Sequence, residues 1–160
     1  MTVGSLDAVV DALRAGLPVV IPTDTLYGIA VSPLHAPSPG ILYKIKGRPS
    51  DKPVAWLVGS FDDLETYGDD VPASARRLAS AFWPGALTLI VKAGPKVPPA
   101  YRSAEGTIGL RMPDDAVARA IIGEVGESKA GRGSKVYVRN AFGGRRVLDM
   151  LVGEQLPRIC

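Results

Sequence analysis

Short apolar runs set between helical patterns constrain this chain more than any other feature. Residues 17–21, 26–31, 54–58, 87–92 and 107–112 are each five or six residues long, lie close to Gly or Pro, and are mostly apolar. Such runs read as buried strands. Between them, Ser5 precedes Leu6, Val9, Val10 and Leu13 at helical intervals, predicting a capped helix over 5–15 that Gly16 ends. Further helices are expected over 41–45, 60–66 and 73–82, the last with Leu78 and Phe82 at helical spacing. Another is expected over 116–122, capped by Asp114. Residues 135–139 read as a strand and 146–152 as a last short helix. Some strands alternate with helices and others follow one another through tight turns. The expected fold class is therefore α/β (α+β), a twisted mixed sheet with flanking helices. With no internal repeat and no linker between two cores, residues 1–160 read as a single domain.

Composition narrows the classes of function. The 160 residues are 46% apolar and 22% charged, as in an ordinary globular domain. No apolar run approaches the roughly 20 residues of a membrane span. The first residues lack the layout of a signal peptide and the one cysteine is Cys160, so a cytoplasmic protein without a membrane partner is expected. The single His35 argues against a multi-histidine metal centre and against a Ser/His/Asp triad. Six Lys or Arg and no acid fall between residues 129 and 146, among four glycines. That stretch could touch nucleic acid, but a loosely held, solvated segment over 127–146 is expected.

Three clusters carry candidate chemistry. Lys46-Gly47-Arg48-Pro49-Ser50-Asp51-Lys52-Pro53 places three cations on a stiff helix-to-strand turn at the rim of a core. A solvated turn is the plain explanation. A point-charge Lys beside a planar Arg fork also suits a polyanion such as a triphosphate. Thr23-Asp24-Thr25 is pinched between two core segments, either as a turn satisfying its own backbone or as a recognition loop for a small polar ligand. The two are compatible. Arg111 ends a strand before Pro113, where it is a surface residue or a fork for a phosphate or carboxylate.

Four motifs, in order, resemble the YrdC-like family, the threonylcarbamoyl-AMP synthases, over residues 3–123. They are Pro22-Thr23-Asp24-Thr25-Leu26-Tyr27-Gly28, the stretch from Lys46 to Pro53, Phe82-Trp83-Pro84-Gly85-Ala86-Leu87-Thr88-Leu89, and Gly106-Thr107-Ile108-Gly109-Leu110-Arg111-Met112-Pro113. The resemblance implies a YrdC-like fold with a large positive cavity. It also implies a nucleotidyltransferase that joins L-threonine, bicarbonate and ATP into threonylcarbamoyl-AMP and releases pyrophosphate, with Mg²⁺ accompanying the ATP. A transferase complex then modifies tRNA with the product. By the same resemblance Lys46 and Arg48 are catalytic and bind ATP with Lys52, Thr88 and Arg111. Thr25 and Lys92 fall to the threonine side, and no protein side chain is a metal ligand. The family's Ser-x-Asn-x-Ser-Gly loop is represented here by Asn140 and a following Gly, without the serines. Two alternatives stay open: a YrdC-like protein that binds RNA, and a nucleotide-binding domain of the YciO-like branch with weak or no synthase activity.

Overall fold

Ser5 caps α1 (Leu6–Arg14), its hydroxyl accepting from the Ala8 amide at 3.3 Å, and Val9, Val10 and Leu13 form the buried stripe that the spacing predicts. Gly16, at φ +75°, ends the helix. The Gly16 and Leu17 amides fold back onto the carbonyls of Leu13 and Ala12. This computed structural model describes residues 5–47, 54–126 and the backbone of 135–140. After α1 come β1 (Val19–Ile21), β2 (Gly28–Val31), α2 (Gly40–Lys46), β3 (Ala55–Val58), α3 (Asp62–Tyr67) and α4 (Ala73–Phe82). They are followed by β4 (Leu89–Lys92), β5 (Thr107–Arg111), α5 (Ala116–Gly126) and β6 (Lys135–Asn140). Among the described residues no helix is long and apolar enough to cross a membrane.

The strands form one sheet in the order β1-β2-β6-β3-β5-β4. Among the described strands only β3 and β5 pair in parallel; the other neighbours are antiparallel, so the sheet is mixed as expected. Both faces are covered over β1, β2 and β3, whose runs are apolar without a break, while the edge strand β4 alternates buried and exposed residues. Val20, Ile29, Val31, Trp56, Val58, Ile108 and Leu110 join one core with Leu42 of α2, Leu64 and Tyr67 of α3, and Ala75 and Ala79 of α4. The alternate positions Val19, Ile21, Ala30 and Leu57 join a second core with α1 and α5. That is the two-residue side-chain period of a strand, seen on three strands at once.

Three expectations are corrected. On α4 the buried face is Ala75 and Ala79, while Leu78 and Phe82 are exposed. The small side chains let the helix lie close to the sheet, and the large ones fall on its outer side. The cap of α5 is Asp115, whose carboxylate accepts from the Ala118 amide at 2.7 Å; Asp114 instead stands near Arg119. The strand expected over 135–139 is present as β6, inserted between β2 and β3, so that part of the stretch over 127–146 is held in the sheet and not loose. The helix expected over 146–152 lies outside the described residues.

Beside β3, the ring of Trp56 meets Tyr67 and Tyr101 edge-on, with centroids 5.5 and 5.8 Å apart. The Tyr101 hydroxyl donates to the Ala36 carbonyl at 2.8 Å. Burial pushes the Tyr101 phenol up to about 12. Tyr67 is raised as well, by burial first and then by the Asp63 carboxylate. Both folded values lie above the ordinary tyrosine value of about 10, so the stability these groups contribute is complete below about pH 10 and is lost as the pH rises through the folded values. Tyr101→Phe is expected to lower stability at neutral pH, by leaving the Ala36 carbonyl without its donor. It should also make the alkaline loss shallower. Chemical unfolding followed from about pH 8 to 11.5 checks both effects.

Candidate active site

The turn that joins β1 to β2 is organised by one hydroxyl. Thr23 Oγ1 donates to the Leu26 carbonyl at 2.6 Å and accepts from the Leu26 and Thr25 amides at 3.2 and 3.3 Å. It also lies 3.2 Å from Thr25 Oγ1. The turn thus satisfies its own backbone, as a Thr-Asp-Thr sequence can. It also presents groups outward: Thr25, Leu26 and Tyr27 are all exposed. Leu26 and Tyr27, expected in the strand, lie in this turn because β2 begins only at Gly28.

Arg111, the last residue of β5, reaches this turn. Its Nη2 donates to Asp24 Oδ1 at 2.7 Å, and Nη1 and Nη2 stand 3.5 and 3.4 Å from Thr25 Oγ1. Its Nε donates to the Gly85 carbonyl at 3.0 Å. The Gly85 amide in turn donates to the Met112 carbonyl at 2.8 Å, and the Trp83 indole donates to the Leu87 carbonyl at 2.8 Å. The Trp83-Pro84-Gly85 turn is therefore pinned where β5 ends. A Cβ at Gly85 would stand 2.5 Å from the Phe82 carbonyl, so the close approach requires glycine. The Arg111 side chain is 6% exposed and that of Asp24 15%, although the Asp24 backbone lies at the surface. In the sheet, β2 and β5 are separated by β6 and β3, about 14 Å at ~4.8 Å per strand. The ion pair ties distant strands together.

The other candidates fall in several places. Lys46 is half-buried in the last turn of α2, which Gly47 ends at φ +56°. Arg48 and Lys52 lie outside the described residues, in the connection that enters β3 through buried Val54. Thr88 is exposed just before β4, its Cγ2 3.2 Å from where a Cβ on Gly109 would stand. Thr88 thus packs over β5 two residues before Arg111. Asn140 ends β6 opposite Gly28, the residue that follows the Thr25 turn. Lys92 is not brought to this group. It pairs with Thr107, four positions before Arg111 on β5, and its ammonium forms an ion pair with Asp69, whose hydrogen bond and charge raise its pKa. Among the described residues no three His, Cys, Asp or Glu side chains gather as a metal site. The sequence placed Asp24 in a candidate loop but did not pair it with Arg111. The signal was there, because an Arg buried at a strand end calls for an anion to pair with it.

Comparison with known proteins places these residues in context. Residues 11–131 match the family model Sua5_yciO_yrdC, described as telomere recombination. A Mycobacterium tuberculosis protein named "Putative threonylcarbamoyl-AMP synthase" is 44% identical over 117 residues, which cover 73% of this chain and 54% of that protein. Its namesake in Mycobacterium leprae is 40% identical over 150 residues, covering 92% of this chain and 68% of that protein. The chain thus spans about half to two thirds of the length of these relatives. The structure of P. abyssi Sua5 complexed with L-threonine superposes with a TM-score of 0.81 at 25% identity, covering 97% of this chain and 47% of that one. With a family match over most of its length and a 40% identical relative of which it covers two thirds, the chain belongs to the Sua5, YciO and YrdC family.

Proposed function

We propose that this chain forms threonylcarbamoyl-AMP and pyrophosphate from L-threonine, bicarbonate and ATP, supplying a transferase complex that modifies tRNA. The observation that carries the proposal is where the family match falls. Residues 11–131 take in Thr25, Lys46, Arg48, Lys52 and Thr88 together, in a chain whose relatives bear the name of that synthase. A similarly folded protein complexed with L-threonine supports an amino-acid subsite in the same fold.

The chemistry explains why such residues are needed. A carbamate formed on threonine must attack the α-phosphorus of ATP, so two anions meet. Fixed cations lower their repulsion, and positioning replaces an improbable encounter. Lys46, Arg48 and Lys52 are the cations for the triphosphate, with Thr88 on the nucleotide side. Thr25 offers an exposed hydroxyl for the amino acid. Asn140 joins the site through its register opposite Gly28. Lys92 is left out, because its ammonium is engaged by Asp69. Mg²⁺ enters with the triphosphate, which would hold it through phosphate oxygens.

Pyrophosphate release from ATP, with threonine and bicarbonate each omitted in turn, tests the proposal. Release that needs all three substrates is expected, and release indifferent to threonine would overturn it. A second possibility, a domain that binds nucleotide with little turnover, is favoured by the absence of serines on either side of Asn140. It is distinguished by ATP binding without pyrophosphate release.

Two substitutions separate the subsites. Arg48→Ala removes a charge-assisted contact worth about 1.5–3 kcal/mol, so ATP should bind roughly ten- to a hundredfold more weakly in a folded protein. Titration calorimetry with ATP measures this, and unchanged affinity would remove Arg48 from the site. Thr25→Val is expected to weaken threonine binding more than ATP binding. Equal losses for both ligands would leave Thr25 a purely structural turn residue.

A further inference from the structure

Residues 78–91 run for fourteen positions without an Asp, Glu, Lys, Arg or His, in a chain that is 22% charged. They form the second half of α4 and most of β4, and much of the stretch lies at the surface. Leu78 and Phe82 are 42% and 58% exposed, and Ile90, at 72%, is the most exposed large apolar residue among those described. Single exposed apolar residues are ordinary, but three in one uncharged stretch mark a surface made to be covered.

β4 ends the sheet on its side. The Ala93 amide donates inward to the Gly106 carbonyl, while the Asp69 amide donates to the Lys92 carbonyl from the outer side. Backbone groups alternate along a strand, so the N–H and C=O of Ile90 point outward with those of Lys92. The connection after α3 closes that edge at Lys92 and Gly94, with the Lys92–Asp69 ion pair beside it. At Ile90 the usual protections of an edge are missing: there is no charge, no proline and, among the described residues, no pairing strand.

α4 brings an uncovered flank to the same rim. Ala75 and Ala79 face the sheet, and on one side of them Arg76 donates twice to the Glu65 carboxylate of α3. With about 3.6 residues per turn, Leu78 and Phe82 fall on the other side, away from α3. α3 follows the interior strand β3, whereas α4 leads into β4, so that flank overhangs the edge. Ser74 and Ala81 stand beside Leu78 and Phe82 and are small enough to admit a second helix. Ile90 points to the opposite face, because Leu89 and Val91 are turned toward α4.

We propose that a second copy of this chain docks on this rim across a two-fold axis, β4 beside β4 and the Leu78–Phe82 flank beside its counterpart. The charge pattern favours a copy over other occupants. A two-fold contact sets each central group near its own equivalent, so any charge there would meet its like. Residues 78–91 avoid that conflict by carrying none. At the ends of the stretch, Lys92 is matched by Asp69, and Arg77 lies on the side of α4 opposite the sheet. A different partner could offer an opposite charge, and the stretch would then have no reason to lack one. A strand placed beside its own copy by such an axis also runs antiparallel to it, as an exposed edge readily accepts.

Sedimentation equilibrium of the full chain over a series of concentrations tests the proposal. The average mass should rise from that of one chain toward that of two and stop there, since the contact closes on itself. Ile90→Lys and Ile90→Glu change an exposed side chain and leave the fold intact. Each should weaken the dimer roughly tenfold or more, by setting like charges across the axis. Mixed in equal amounts, the two variants should pair again, because unlike charges then face each other. Phe82→Ala should weaken the dimer as well, through the helix flank.

A single-chain mass at every concentration overturns the proposal. So does an assembly that Ile90→Lys or Phe82→Ala leaves unchanged, or one that the mixture fails to restore. Slow hydrogen exchange at the Ile90 amide in a chain that stays single would place another segment of the same chain on the edge, and equally overturn it.

Discussion

An almost dehydrated ion pair between Arg111 and Asp24 holds together parts of the molecule that have no other reason to meet. Its contribution is to geometry more than to net stability. Removing two charges from water costs several kcal/mol per ion, and their attraction roughly offsets that cost. Breaking the pair is another matter, because removing one partner leaves the other buried and uncompensated, at about 3–5 kcal/mol. The pair thus acts as a tie that is cheap to keep and expensive to lose. Exposed pairs such as Arg76–Glu65 and Lys92–Asp69 are of a different kind, solvated and screened, with little bearing on where the elements sit.

Around this tie the candidate groups gather from elements far apart in the chain. The β1–β2 turn brings Thr25, and the exit of β5 brings Arg111. The turn after α4 brings a carbonyl through Gly85, where nothing larger fits. Both cores serve the arrangement. One packs α2, α3 and α4 on one face of the sheet and the other packs α1 and α5 on the opposite face. The strands between them cannot slip by one residue without exchanging their two buried faces. A site assembled across strands requires a sheet whose register is so firmly set.

Much of this was legible in the residues. The apolar runs located the strands, and the Ser5 cap and Gly16 stop bounded α1 closely, because caps and stops are local chemistry. The mixed sheet followed from runs joined by tight turns. What escaped was decided by tertiary contact. Leu78 and Phe82 have the right spacing for a core face, yet the sheet accepts Ala75 and Ala79, since close packing selected small side chains there. The strand over 135–139 was legible, but its place between β2 and β3 was not, because partners about a hundred residues upstream leave little local trace. The pairing of Asp24 with Arg111 was missed for the same reason: the two are 87 positions apart.

The place of β6 has a consequence for how the chain is made. The last of the described strands in sequence lies in the middle of the sheet, with β2 on one side and β3 on the other. A nascent chain that has emerged only as far as α5 can pair β1 with β2, and β4 with β5 and β3, but it cannot join the two parts. Each half then carries a raw strand edge, β2 in one and β3 in the other, of the kind that captures stray strands from other chains. Residues 135–140, made after every other described strand, are the keystone of the sheet. Until it is in place, both edges stay open to pairing.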